Sequence, residues 1–88
     1  GPPTKTSLVF AGAGARQPGW LVRCLSEFAF RGVNLTRIES RPSKDRLGDY
    51  VFFLDLDGAA GDERVAGAIE GLRAHCEAVR VLGTYPSA

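Results

Sequence analysis

Apolar residues recur along this chain at two spacings, one near two residues and one near three and a half, and the switches between them mark out six elements. Lys5–Ala11 is short, apolar and rich in strand formers, and predicts a first strand. The loop Gly12 to Gln17, with a second glycine at Gly14, breaks it. A helix follows from Pro18, whose missing N–H suits a first turn, to about Arg31. Leu21, Cys24, Leu25 and Phe28 form its apolar stripe, and Gly32 is a C-terminal stop.

Leu35–Arg41 alternates as a second strand, with Thr36, Ile38 and Ser40 on one face and Leu35, Arg37, Glu39 and Arg41 on the other. Pro42 ends it or lies at a sheet edge. A polar loop over 43–47, then Gly48 and Asp49, lead to Tyr50–Leu56, the strongest strand signal. Tyr50, Phe52, Leu54 and Leu56 share one face; Val51 and Phe53 share the other. Apolar residues on both faces suit a central strand, or one whose open face meets a partner. After a turn over 57–61, Asp62 is the expected N-cap of a second helix, with Glu63 in its first turn. Val65, Ile69, Leu72 and Cys76 form its stripe, and Ala78–Tyr85 reads as the last strand, closed by Pro86.

The order β-α-β-β-α-β predicts an α+β, ferredoxin-like fold: a four-stranded antiparallel sheet with both helices on one face and strand order 4-1-3-2. Residues 5–86 form the expected domain, 1–4 a linker or cloning remnant, and 87–88 a tail. Eighty-eight residues make one domain, and 44% hydrophobic with 24% charged residues suits a globular chain. Its core is thin, so self-association is expected.

Eleven basic and ten acidic residues leave a net charge of +1, unlike the basic balance of nucleic-acid binders. No apolar run is long enough for a bilayer and no signal peptide precedes the fold, so neither nucleic acid nor membrane is an expected partner and a cytoplasmic setting is expected. Cys24 and Cys76 belong to no CxxC pair; they read as buried thiols, not as a metal or redox site, which fits a reducing compartment.

No catalytic constellation is visible. His75, the single histidine, reads as a solvated or helix-end residue, and no nucleophile has a histidine at readable spacing. Asp55 and Asp57 read as a polar strand end leading into a turn. The loop after the first strand carries no thiol, so no metal and no cofactor are expected. RNA-recognition modules share this topology, but their basic-Gly-aromatic run is missing despite Phe10, Phe52 and Phe53. Arg16 stands where acyl-phosphate hydrolysis on this fold would need an arginine, without the surrounding pattern. What remains is the start of the first helix. Gly19, Trp20 and Leu21 follow Pro18 with amides that lack intrahelical partners, a seat for a carboxylate or for water.

Three stretches carry a resemblance: Pro18-Gly19-Trp20-Leu21, then Gly32 to Pro42 (GVNLTRIESRP), then Gly48 to Phe53 (GDYVFF). With the ending Val81 to Pro86, they resemble the ACT domain of prephenate dehydratases, and the Glu-Ser-Arg-Pro stretch is similar to the regulatory domain of aromatic amino acid hydroxylases. The resemblance covers about residues 5 to 86. It implies a regulatory module, with no catalytic residues of its own, that binds L-phenylalanine between two paired copies and turns down a dehydratase domain in the parent chain by feedback. By the same resemblance Pro18, Gly19, Trp20 and Leu21 meet the ligand, while Asn34, Leu35, Thr36, Glu39, Ser40, Arg41 and Pro42 of the neighbouring copy build the facing wall. Glu39 and Arg41 either contact the ligand or pair with each other or across the dimer. The family motif usually has alanine at the position of Trp20. The indole then fills the site, reshapes it for another ligand, or covers the dimer seam. A ligand-free dimerisation module and a sensor of another amino acid are the alternatives.

Overall fold

The computed structural model describes residues 3–12, 17–44 and 49–87. Gly1, Pro2, Gly14 and Arg16 with the rest of 13–16, Gly48 with the rest of 45–48, and the last tail residue Ala88 lie outside the described residues. Six elements follow in the expected order: β1 (Thr4–Ala11), α1 (Trp20–Ala29), β2 (Leu35–Pro42), β3 (Tyr50–Asp57), α2 (Glu63–Arg73) and β4 (Ala78–Pro86). The four strands pair antiparallel in the order β2-β3-β1-β4, so β3 and β1 are central and β2 and β4 are edges.

Alternation places Thr6, Leu8 and Phe10 of β1 and Leu54 and Leu56 of β3 on the face covered by the helices, where all are buried. Trp20, Cys24 and Phe28 of α1 come down on this platform, joined by Val65, Ala68, Ile69 and Leu72 of α2. Gly71 lets the two helices approach: a Cβ there would overlap the Glu27 carboxylate. Thr6 is the one buried polar residue of the described core. Its hydroxyl donates to the Gly58 carbonyl at 2.8 Å and meets the Thr84 hydroxyl at 2.9 Å, which offsets the cost of its burial.

Three boundaries and one register differ from expectation. α1 begins at Trp20, because Gly19 adopts a left-handed conformation (φ 80°) and serves as N-cap; Pro18 therefore lies in the preceding turn. β1 begins at Thr4, inside the stretch expected to be linker, because Thr4 pairs with Pro86 and the Ser87 N–H donates to the Pro3 carbonyl. α2 ends at Arg73, so Cys76 lies on the connection to β4 and not on the helix. In β2 the register slips between Leu35 and Arg37. That bulge leaves Thr36 unpaired and turns Leu35 to the helix side, opposite Leu56, whereas strict alternation puts it with Arg37, Glu39 and Arg41.

One feature ties α1 to the α2–β4 connection. The Trp20 indole is only 3% exposed and packs at 5.9 Å from Phe10 and 5.7 Å from Phe52 between ring centroids. Its Nε1–H donates to the His75 carbonyl at 2.7 Å. One turn on, Cys24 Sγ lies 3.9 Å from Cys76 Sγ. Next, the Glu27 Oε2 atom lies 2.9 Å from His75 Nε2, and Arg31 pairs with Oε1 at 3.0 Å. His75 thus lies just past the end of α2, as the helix-end reading has it, but is a half-buried partner of α1 and not solvated. The His75 contact, followed by that of Arg31, holds the Glu27 carboxyl below its usual value of 4.5.

Two outcomes are expected. Trp20→Phe keeps most of the ring packing but orphans the His75 carbonyl, a loss of about 1–3 kcal/mol in urea unfolding followed by circular dichroism. Glu27 stays ionised to lower pH when folded than when unfolded, so its contribution is complete above pH 4.5 and disappears as pH falls through the folded value. Glu27→Gln should therefore flatten the acid-unfolding curve below pH 4.5. An unchanged curve would show that the pair contributes nothing.

Candidate functional site

The start of α1 is built by a chain reversal. Residues 17–19 turn, and the Trp20 N–H donates to the Gln17 carbonyl at 3.2 Å. The first helical bond is Arg23 N–H to the Gly19 carbonyl at 3.0 Å. The amides of Leu21 and Val22 lie between these two bonds and, as at any helix start, lack intrahelical partners. Of the amides expected to lack partners, that of Trp20 has a carbonyl, and Val22, absent from the sequence-based set, joins Leu21 in lacking an intrahelical partner. Gly19 caps without a side-chain hydrogen bond, and the first turn carries no acidic residue, which leaves the positive end of the helix uncompensated from within.

The Trp20 side chain points inward, onto Phe10 and Phe52, so within one copy it does not fill the space outside the helix start. Only its backbone belongs to the helix-start surface.

Along the outer side of α1 runs an apolar groove of about 260 Å³ lined by Val22, Leu25, Ser26, Ala29, Val33 and Leu35. Leu35 reaches it because of the bulge in β2. Val22 is 67% exposed and Phe30, just past the helix, 83%, so the flank of α1 next to the groove is markedly apolar. A second hollow of about 220 Å³, between Ala11, Gly12, Ser43, Asp49, Tyr50, Val51 and Glu77, includes no residue of the helix start.

The residues of β2 divide between two ends of the strand. Asn34, Leu35 and Thr36 lie beside the C-terminal end of β3, where Asn34 Nδ2 donates to Asp57 Oδ2 at 2.9 Å and the Asp57 N–H returns to the Asn34 carbonyl at 2.9 Å. Ser40, Arg41 and Pro42 lie opposite Phe52, Val51 and Tyr50 at the other end, the end from which α1 departs. Eight strand residues reach roughly 25 Å. Within one copy, then, Pro18–Leu21 shares an end with Ser40–Pro42, and Asn34–Thr36 is remote from both.

Glu39 and Arg41 point to the sheet face that carries no helix. Arg41 Nε lies 2.6 Å from Glu39 Oε2 and Arg37 Nη2 lies 2.9 Å from Oε1, so one carboxylate is held between two guanidinium groups. The Arg41 guanidinium also lies 4.8 Å from the centre of the Phe53 ring, and Arg37 approaches Asp55 at 3.9 Å. The hydrogen bond from Arg41, above all, holds the Glu39 carboxyl below its usual range. Of the two sequence readings of Glu39 and Arg41, these contacts are those of mutual pairing. Asp55 also accepts from the Ser7 hydroxyl at 2.6 Å, and Asp57 from Asn34, so both carboxylates have partners across strands.

Among the described residues no three His, Cys, Asp or Glu side chains are grouped to hold a metal, and no helix is long and apolar enough to cross a membrane. Burial pushes the Cys76 thiol up to about 12 and also raises that of Cys24. The closeness of these two sulfurs, the pairing of His75 and the place of Val22 escape the sequence reading. Cys24 and Cys76 are 52 positions apart and only tertiary packing unites them. Val22 could have been found by placing the N-cap at Gly19, a residue suited to positive φ.

Known proteins repeat this arrangement. The prephenate dehydratase of Mycobacterium bovis is 46% identical over 89 residues, which cover 98% of this chain and 28% of that protein. The solved structure of the Arthrobacter aurescens prephenate dehydratase in complex with L-Phe superposes with a TM-score of 0.86 at 48% identity, covering 97% of this chain and 28% of that one. GqqA, described as a novel type of quorum quenching acylase, superposes with a TM-score of 0.89 at 33% identity, over 100% of this chain and 31% of its own. The chain thus spans between a quarter and a third of these relatives. The sequence pattern of the family described as "ACT domain" matches residues 16–74. By that match, and by the identity along nearly its whole length, the chain belongs to the ACT domain family.

Proposed function

We propose that this ACT domain senses L-phenylalanine as a homodimer and conveys its presence to a prephenate dehydratase domain in the parent chain. The observation that carries the reading is the 48% identity to a prephenate dehydratase crystallised with L-Phe, joined here to an apolar groove that begins beside helix-start amides without intrahelical partners. The amino acid's carboxylate would accept from the Leu21 and Val22 amides, favoured by the helix dipole. Its ring would enter the groove against Leu25, Ala29 and Leu35. Its ammonium needs carbonyls, which the outer edge of β2 can supply, because that edge pairs with no strand of its own copy.

A second copy reconciles the two halves of the expected set. If two β2 edges pair antiparallel about a twofold axis, the Asn34–Thr36 end of one copy comes beside the Ser40–Pro42 end of the other, and so nears the partner's α1 start. Each of two equivalent pockets then draws on both copies. A ligand clasped across that seam favours the paired arrangement by its differential affinity for it, which is how an effector shifts a parent enzyme between states. The exposed Val22 and Phe30 also favour pairing without any ligand, which is the observation behind a purely structural alternative.

Titration calorimetry with millimolar L-phenylalanine should give saturable heat near one ligand per copy, with a dimer in sedimentation. An intact dimer without heat leaves the structural role, and heat from another amino acid alone changes the effector. Val22→Glu, at a largely exposed position, should leave the fold intact and weaken binding by tenfold or more, about 1.4 kcal/mol, by setting a carboxylate beside the one to be bound. Trp20→Ala should not gain affinity, as a plug would predict. It should cost about 3–5 kcal/mol of stability by hollowing the core.

A further inference from the structure

We infer that Cys24 and Cys76 form an oxidative cross-linking site, in which a hydroperoxide converts the two thiols to an intrachain disulfide that fastens α1 to the α2–β4 connection. The sulfurs already lie 3.9 Å apart, at the centre of the contacts between α1 and the α2–β4 connection. On one side of them the Trp20 indole grips the His75 carbonyl, and on the other Glu27 meets the His75 ring. These flanking contacts hold both backbones in place, so closure to a bond of roughly 2.05 Å needs rotation of the two side chains and not a rearrangement of the fold. Cys24 is fully buried, whereas Cys76 is only partly so, and a small peroxide would reach Cys76 first.

The chemistry balances in two steps. The Cys76 thiolate attacks one peroxide oxygen; the O–O bond breaks, hydroxide leaves and takes a proton, and Cys76 becomes a sulfenic acid. Cys24 sulfur then attacks Cys76 sulfur; the S–O bond breaks and the oxygen departs as water with the Cys24 proton. In sum two thiols and one hydrogen peroxide give one disulfide and two waters. A thiol with its pKa raised by burial reacts slowly near neutrality and faster as pH rises. Arg23 and Glu27 of α1 are the charged groups that act on Cys24, and His75 and Glu77 flank Cys76 along the connection.

The readout is covalent mass, so it is independent of the phenylalanine reading. The chain is exposed to hydrogen peroxide, quenched with acid, denatured, alkylated and weighed. Both alkylatable thiols should vanish together, without added oxygen and without a covalent dimer, and dithiothreitol should restore them. The oxidised chain should unfold several degrees higher, because the bond closes a loop between positions 52 apart. Cys76→Ser, at a partly exposed position whose fold is checked by circular dichroism, should give no reducible product within one chain. The proposal is overturned if both thiols remain alkylatable after prolonged exposure at alkaline pH, where more of the buried thiol is ionised, if oxygen is added without a cross-link, or if the cross-link joins separate chains. An oxidised chain that unfolds at lower temperature overturns closure on the native geometry.

Discussion

The Trp20 indole must leave water without stranding its N–H, and much of the molecule's upper half follows from how that is done. A ring of this size can be buried only where the platform offers matching apolar area, and here Phe10 and Phe52 provide it from the two central strands. Its donor then needs an acceptor at one position, which the carbonyl of His75 supplies. That requirement sets the height at which the connection after α2 crosses α1, and with it the meeting of Cys24 with Cys76 and of Glu27 with His75. It also decides what the helix start presents outward. With the side chain directed inside, the first turn of α1 offers backbone amides and the aliphatic Val22.

The edge strand imposes a second constraint. A single extra residue at Thr36 moves Leu35 to the helix side, so the groove beside α1 gains an apolar wall and the arginine–glutamate cluster keeps the opposite face to itself. Without the bulge, Leu35 would stand beside Arg37 on the uncovered face. By the strand order β2 is also an edge of the sheet, ending in Pro42, which has no amide to donate. An edge of this kind suits a symmetric partner.

Much of the fold was legible in the chain because period and punctuation agree. β3 announces itself by apolar residues on both faces, and it is central; Asp62 is the cap of α2, with its carboxylate accepting from the Arg64 amide at 2.9 Å. Strand order followed from handedness alone. What could not be read depends on contacts between distant segments. Alternation puts Leu35 on the wrong face because a bulge has no signature in a two-residue period. Proline suits a first turn and so points to Pro18 inside α1, yet the left-handed Gly19 after it is the stronger signal for a cap. Cys76 continues the apolar stripe of α2, although α2 stops at Arg73. The helix-start motif itself was visible, but the direction of its indole was not, since a tryptophan at a first turn packs inward or outward according to what lies beneath.

The pairing of β1 with β4 joins Thr4 to Pro86 and Pro3 to Ser87, at the end of the sheet away from the α1 start. Polypeptide continuing from either terminus would leave from neighbouring points on that one pole, as a bulb sits in its socket. Any influence of events at the far pole on a covalently attached neighbour must then travel along the strands as a rigid tilt, or pass through a surface contact between the two. Such a layout also tolerates grafting, because both joints can be stitched into a single surface loop of a host without unpicking the core between sheet and helices.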